Sequence, residues 1–288
     1  MNRSSLVSIC IPTYNGASYI QEAINSAIAQ TYTNLEIIVS DDGSTDSTLE
    51  LIESYRKKTK LPIIILHHQP SEISANWNHC IKHAKGEYIK FLFQDDVLEP
   101  SCIKKMVDAF VIDKKIGLVC CKRHIISAED NSFTKNWIAN FKNLQCNLPM
   151  NENYIHVMDG KDILKAPYFK RKPINIIGEP VAVMFKKSAI PLVGFFDESM
   201  FQLVDYEYWL RFLKHYKIGF LHEPLASFRL HLNQMSFLNN KNKLNDHELY
   251  YSILYKRYFW FLHNNFRWFL LKRYFFLFKV YRKLKTLK

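Results

Sequence analysis

Val7-Ser8-Ile9-Cys10-Ile11, closed by Pro12-Thr13-Tyr14-Asn15-Gly16, and Leu35-Glu36-Ile37-Ile38-Val39-Ser40, closed by Asp41-Asp42-Gly43-Ser44, decide how this chain folds. Each is a short apolar run rich in β-branched residues and stopped by turn formers, which is how a strand buried on both faces reads. A helical period follows each: Ile20, Ala23, Ile24, Ala27 and Ile28 recur within residues 18–29, and residues 46–55 are again amphipathic. Pro62 to Leu66, the helical stretch Ile73 to Ala84, and Tyr88 to Phe93 repeat the alternation. Alternating strands and helices predict an α/β fold, a parallel sheet with helices on both faces. In such a sheet ligands bind beyond the carboxyl ends of the strands. The polar clusters Thr13-Tyr14-Asn15, Asp41-Asp42 and Asp95-Asp96 all fall there.

Farther along, the pattern weakens between residues 122 and 175, and 131–149 is polar and aromatic without a clean period. That stretch is expected to be an irregular, acceptor-facing insertion. Order returns with a strand over Val181 to Phe185 and a helix over Tyr206 to His215.

The chain has 288 residues, of which 48% are hydrophobic and 23% charged, so it buries a substantial core and disorder is excluded. The apolar run near the N-terminus is too brief for a signal-peptide core or a spanning helix, so a cytoplasmic location is expected. Cys10, Cys80, Cys102, Cys120, Cys121 and Cys146 form no C-x-x-C pair and read as reduced thiols rather than disulfides or zinc ligands. Of the net charge of +12, ten units sit in residues 241–288, and the remainder is nearly neutral. This argues against a nucleic-acid partner.

A bound diphosphate needs compensating positive charge. The dinucleotide turn G-x-G-x-x-G is absent, since Gly16 and Gly43 stand alone. A divalent cation, Mn2+ or Mg2+, held by carboxylates is the usual substitute. Neighbouring side chains in a strand point to opposite faces, so Asp96 is assigned to the metal and Asp95 to the donor's ribose or a bridging water.

Ser8 to Gly16, Ser26-Ala27-Ile28-Ala29-Gln30-Thr31-Tyr32, Leu35 to Asp46, and Ala84-Lys85-Gly86-Glu87-Tyr88-Ile89 through Asp95-Asp96 resemble the family 2 glycosyltransferases, and the likeness extends with gaps to about residue 236. The resemblance implies a GT-A type nucleotide-binding sheet joined to an acceptor-binding part. That corresponds to a domain over 1–240, with a nucleotide-binding half at 1–121 and an acceptor-binding half at 122–240. It implies that Pro12, Tyr14 and Asn15 border the nucleotide and that Asp42 accepts a hydrogen bond from the base, while Asp46 is left to turn-making and capping. The family's acidic triplet is represented here with Gln94 at its first position. Leu203 to Arg211 resembles the catalytic-base segment, with Val204 where an acid is usual, and Asp205 is the expected base. A helix N-terminus there would favour its ionised form. Capping of that helix is the alternative role for Asp205, Glu207 is the fallback base, and Tyr208 and Trp209 are expected to pack. In Phe228 to Ser236, His231 would complete the metal shell and Arg229 would meet phosphate. Gly178 and Glu179 would border the donor sugar and the acceptor, or form a bare turn.

The activity implied is inverting transfer of a single sugar from a nucleotide-diphosphate sugar. No Gln-x-x-Arg-Trp segment of the processive members follows Asp205. The alternative is a nucleotidyltransferase-like protein, which would need a phosphate-gripping lysine or glycine loop after the first strand.

From Tyr258 to Tyr281, twelve of twenty-four residues are Phe, Trp or Tyr, interleaved with Arg267, Lys272, Arg273 and Lys279. Residues 241–288 therefore read as a helical, basic aromatic extension. An in-plane amphipathic helix would put the rings at the headgroup boundary and the cations against anionic lipid, making the protein peripheral on the inner face of the membrane. The acceptor would then be a lipid-linked saccharide used in bacterial surface polysaccharide assembly. Packing on its own domain or across a dimer is the other use of such a stripe.

Overall fold

The computed structural model describes residues 4–71, 73–128, 130–145, 148, 154–166, 175–232, 234, 237–239 and 246–276. Strands β1 (Val7–Thr13), β2 (Leu35–Asp41), β3 (Ile63–His67) and β4 (Tyr88–Phe91) alternate with helices α1 (Ile20–Ile28), α2 (Thr48–Lys58) and α3 (Ile73–His83). A short strand β5 (Val97–Leu98) and helix α4 (Cys102–Ile112) follow. The strands pair in parallel in the order β3-β2-β1-β4, as the apolar runs require. Every residue of β1 and β2 is buried.

Side-chain alternation divides the core in two. Val7, Ile9, Ile11, Ile37 and Val39 pack with α1 and α4 on one face, whereas Cys10, Ile38, Ile89 and Phe91 pack with Trp77 and Ile81 of α3 on the other.

Beyond β4 the sheet departs from the all-parallel expectation. Strands β6 (Ile116–Ile126), β7 (Ile155–Asp159), β8 (Val183–Lys186) and β9 (Lys217–Arg229) complete a nine-stranded sheet among the described residues, with helices α5 (Ser132–Phe141), α6 (Gly160–Lys165), α7 (Ile190–Val193) and α8 (Val204–His215) interspersed. β8 runs antiparallel to both β4 and β6, and β5 and β7 run antiparallel to β9. β6 and β9 are parallel, and because β8 reverses direction once between β4 and β6, both share the direction of β1 to β4. Pro224 is accommodated in β9 opposite Lys122, where the register slips and a bulge removes the need for its missing N–H. Much of 122–175 is therefore ordered rather than irregular. The expected strand at Val181 begins at Val183, after a single 3-10 turn over Pro180–Ala182.

The C-terminal segment also differs from a helix lying apart in a membrane plane. Helix α9 (His247–Ile253) continues into a π-helical turn at Leu254–Tyr258, a 3-10 turn at Phe259–Phe261, and helix α10 (Asn264–Tyr274). Tyr250, Ile253, Leu254, Tyr258, Leu262, Phe266 and Leu270 are buried in the same cluster as Tyr208 and Phe212 of α8. The Asp246 carboxylate accepts the backbone N–H groups of Phe201, Gln202 and Leu203 at 2.9, 2.9 and 3.1 Å, bracing the turn that opens α8. Trp260 and Trp268 remain outside the core, 78% and 51% exposed. Phe266→Ala should therefore cost about 3–5 kcal/mol, as for a large buried side chain, whereas Trp268→Ala should change little. Urea midpoints compare the two, and an unmoved Phe266→Ala midpoint would mean that the segment is an appendage. No helix among the described residues is long and apolar enough to cross a membrane.

Candidate active site

The carboxyl ends of β1, β2 and β4 lie side by side. Asp42 N–H donates to Thr13 O at 2.9 Å, locking two of them together. Pro12 is buried within β1 opposite Ser40, whereas Tyr14 and Asn15 stand exposed just beyond the strand. Asn15 has φ of 47°, in the left-handed region that Asn tolerates, and its Oδ1 accepts Thr45 N–H at 2.8 Å. Gln94 grips the Tyr14 backbone twice: Oε1 accepts the N–H at 2.9 Å and Nε2 donates to the carbonyl at 3.0 Å. The residue that departs from the acidic triplet thus ties the β1 turn to the β4 turn. Asp41 is consumed by its own turn, accepting Gly43 N–H, Ser44 N–H and Ser44 Oγ. Asp42 is different. Its Oδ1 meets His68 Nδ1 at 2.7 Å, and among the described residues its Oδ2 has only Ser71 N–H at 3.4 Å.

After β4 the backbone turns, with Asp96 N–H donating to Phe93 O at 3.1 Å, and within this turn the Asp95 and Asp96 side chains separate. Asp96 is 1% exposed, and its Oδ1 accepts Arg229 N–H at 2.9 Å, fastening the end of β9. Burial, and then the neighbouring Asp95, push the Asp96 carboxyl well above the usual range. Asp95 is the outward member, and its Oδ2 lies 2.9 Å from His231 Nε2. His231, expected to share a metal ion with Asp96, is thus hydrogen-bonded to Asp95, while Asp96 is turned inward onto the backbone. Arg229 is also engaged. Its Nε donates to Asp95 O at 2.7 Å, its Nη2 meets Glu22 at 2.6 Å, and its guanidinium lies over the Tyr19 ring. A phosphate would have to share it with Glu22.

The third component arrives from β8 and α8. Lys90, fully buried in β4, donates to Phe91 O at 2.9 Å and to Val181 O, tying the 180–182 turn to β4. Just before that turn, Gly178 has φ of 114°, a conformation glycine adopts without strain. Asn175 holds it from both sides, with Oδ1 accepting Gly178 N–H at 2.9 Å and Nδ2 donating to Gly178 O at 3.0 Å. The same Nδ2 donates to Asp205 Oδ2 at 2.8 Å. Asp205 Oδ1 accepts Tyr206 N–H at 2.9 Å. Glu179 forms an ion pair with buried Arg123 at 2.5 Å. Its charge also acts on both Asp96 and Asp205, and the antiparallel pairing of β8 with β4 puts the 178–182 stretch at the sheet edge where β4 ends.

Burial, and then Glu179, raise the Asp205 carboxyl to about 8, outweighing the helix N-terminus that was expected to keep it ionised. Asp205 keeps one local hydrogen bond in the first turn of α8, to Tyr206 N–H, while Asp246 holds the three N–H groups that precede the helix. Glu207, the fallback base, is fully buried in an ion pair with Arg211. Tyr208 and Trp209 pack in the core, Trp209 also donating to Gly178 O at 3.0 Å. Sequence reasoning missed Asn175, His68 and the bracing role of Asp246. Each acts through a partner distant in sequence, so no local pattern marks it.

No group of three or more metal-ligating side chains is assembled among the described residues. Two groups of the site nevertheless have the chemistry to ligate a cation. Asp95 and His231 present one carboxylate and one imidazole in contact, and the Asp96 Oδ2 behind them is buried without a hydrogen-bond partner among the described residues. Oxygen-rich sites with one or two carboxylates suit Mg2+ or Mn2+ when substrate phosphates supply the remaining ligands.

The family model described as glycosyl transferase family 2 matches residues 8–171. An uncharacterised glycosyltransferase of Rickettsia typhi is 34% identical over 259 residues, which is 88% of this chain and 73% of that protein. Among solved structures, Staphylococcus aureus TarS residues 1–349 in complex with UDP-GlcNAc matches with a TM-score of 0.61 at 18% identity, over 80% of this chain and 60% of that one. The mannosyltransferase PcManGT of Pyrobaculum calidifontis, in complex with GDP-Man and Mn2+, matches with a TM-score of 0.55 at 15% identity, over 94% and 75%. These likenesses show the fold, which is of GT-A type.

Proposed function

This chain belongs to glycosyl transferase family 2, and we propose that it transfers one sugar, with inversion, from a uridine diphosphate sugar to a hydroxyl of a lipid-linked saccharide in bacterial surface polysaccharide assembly. The observation that carries this reading is that Gly178–Glu179, tied to Asp205 through Asn175, precede β8 at the same sheet edge where β1, β2 and β4 end and Tyr14, Asn15, Asp42 and Asp95 follow. The nucleotide occupies the 1–121 half and the acceptor the 122–240 half.

Asp205 takes the proton of the acceptor hydroxyl, whose oxygen forms a bond to the anomeric carbon as the bond from that carbon to the diphosphate oxygen breaks on the opposite face. Asn175 fixes the Asp205 carboxylate, and Arg123 holds Glu179 beside it. Asp95 and His231 would hold a divalent cation, with Asp96 bracing the β9 end behind them. Such a cation, when bound, neutralises charge on the departing nucleoside diphosphate.

The base preference follows from Asp42. With Oδ1 held by His68, one oxygen remains for the base. Uracil offers one N–H on its pairing edge and needs one acceptor. Guanine offers two adjacent N–H groups, and one of them would be left unpaired, at a cost of about 1–3 kcal/mol. UDP is therefore expected to bind about tenfold or more tightly than GDP in the presence of Mn2+, and His68→Ala to narrow that gap to a few-fold. Calorimetric titration with the two diphosphates checks both, and an equal or reversed preference in the native chain rejects the uridine assignment.

The reaction is tested by incubating the chain with Mn2+, UDP-sugars and lipid-linked saccharides and identifying the released product. Nucleoside diphosphate supports glycosyl transfer. Pyrophosphate would instead indicate nucleotidyl transfer, and the proposed reaction would fall.

A further inference from the structure

A second charged site lies at the other edge of the sheet. Lys115 immediately precedes β6, Lys217 opens β9, Asp159 closes β7, Lys161 sits in the first turn of α6, and Lys214 and His215 end α8. Together they line a cavity of about 210 Å³, roomy enough for a phosphate group with its waters. Because β6 and β9 run in the direction of β4, the beginnings of these strands lie on the edge opposite Asp95–Asp96. Along α8, His215 is ten residues from Asp205, or roughly 15 Å at the helical rise.

The charges in this cavity are not balanced. Lys217 is paired with Asp113 at 2.8 Å, and Asp159 accepts the Lys161 backbone N–H at 2.9 Å. The ammonium groups of Lys115, Lys161 and Lys214 make no ion pair among the described residues. Burial, then Lys214 and Lys161, push the His215 imidazole below its usual range, as expected where cations crowd. Asp159 keeps its own charge, so the three lysines leave an excess of two positive charges, of which the carbonyls ending α8 offset a part. An anion would relieve the remainder.

The cavity also adjoins exposed aromatic surface. Lys214 Nζ lies 5.8 and 5.6 Å from the rings of Tyr258 and Phe261, and α6 packs against the 259–261 turn. That turn carries Trp260, the large side chain left 78% exposed, with the Arg267 guanidinium 5.8 Å from its ring. A phosphate-sized cationic cavity beside a projecting indole suits a bilayer surface, where the headgroup is anionic and the boundary below it admits an aromatic ring.

We propose that the cavity bounded by Lys115, Lys161 and Lys214 receives the phosphate of an anionic phospholipid headgroup while Trp260 enters the interface beside it. The inference rests on the membrane-linked acceptor proposed above and moves the contact from the tail alone to the catalytic domain. The catalytic crevice then opens on the edge away from the bilayer contact, and an acceptor would have to extend from the membrane to reach it.

The full chain is tested by cosedimentation with vesicles of phosphatidylcholine alone or mixed with phosphatidylglycerol. Native protein is expected on the mixed vesicles only. At about 1 kcal/mol per lysine near an anionic surface, replacing Lys115, Lys161 and Lys214 together by Ser should lower partitioning roughly 100-fold. Trp260→Ala should lower it several-fold, and both variants should keep native transfer to a water-soluble acceptor. Native-like partitioning of the triple-serine variant overturns the proposal, as does equal binding to both vesicles. Release by inorganic phosphate, but not by chloride of equal ionic strength, would mark the cavity as a soluble-anion site and overturn the lipid assignment. Vesicle binding without sugar transfer would leave this proposal standing and remove the transferase reading instead.

Discussion

Asp205→Asn is expected to lower kcat by about 10²–10⁴-fold, the range supplied by a positioned general base, and at the same time to stabilise the folded chain at alkaline pH. The two effects share one cause. In the folded protein the Asp205 carboxyl is raised to about 8, by burial and then by Glu179, from an ordinary value near 3.8. Between those values the folded state binds a proton that the unfolded state has released, so wild-type stability falls as pH climbs from about 4 to about 8. Asparagine does not titrate, and its stability lacks this slope. Its melting temperature should sit near wild type at pH 4–5 and rise progressively above it toward pH 8. Activity runs the other way. The base works only when deprotonated, so wild-type kcat/KM should increase with pH and level off above about 8. A merely structural Asp205 would show no such coupling. Full turnover in Asp205→Asn, or a kcat/KM already flat from pH 5, would exclude it as the base.

The strand-end aspartates were legible in the sequence because their position is a local property. Apolar residues from Val7, Leu35 and Tyr88 onward each end in polar residues, and a parallel sheet puts those ends on one edge. The connections that make the edge a site were not legible. Asn175 meets Asp205 across 30 residues and His231 meets Asp95 across 136, and such pairings leave no period to read. The reversal of β8 was hidden for a related reason: four buried residues look the same in either direction. β6 and β9 escaped notice because both carry charged residues at half-buried positions, and β9 holds a proline at a bulge. In the C-terminal segment, π and 3-10 turns break the helical period between Leu254 and Phe261. No single helical wheel could then separate Leu262, Phe266 and Leu270, which are buried, from Trp260 and Trp268, which are not.

Asp95→Asn should abolish the Mn2+ dependence of UDP binding and reduce transfer by more than about 100-fold, beyond the 10–100-fold typical of losing a residue that only supports a metal ligand. The expectation rests on the division of labour within the pair. Asp95 faces His231, whereas Asp96 is turned inward with Oδ1 on the Arg229 N–H. An asparagine at 96 keeps a carbonyl oxygen for that hydrogen bond, so Asp96→Asn should leave Mn2+-dependent binding within a few-fold of wild type. His231→Ala removes the imidazole but leaves the carboxylate, and should weaken Mn2+ affinity by about tenfold. Calorimetric titration of UDP with and without Mn2+ separates the three variants. If Asp96→Asn loses the metal dependence and Asp95→Asn keeps it, the inward carboxylate is the ligand, and its buried Oδ2 must reach the cation by a movement of the β4 turn. The Gln94 clamp on the Tyr14 backbone opposes such a movement, because turning Asp96 outward would pull the β1 turn with it. With that clamp in place, Asp95 meets a cation without rearranging the β1 turn that carries Tyr14 and Asn15.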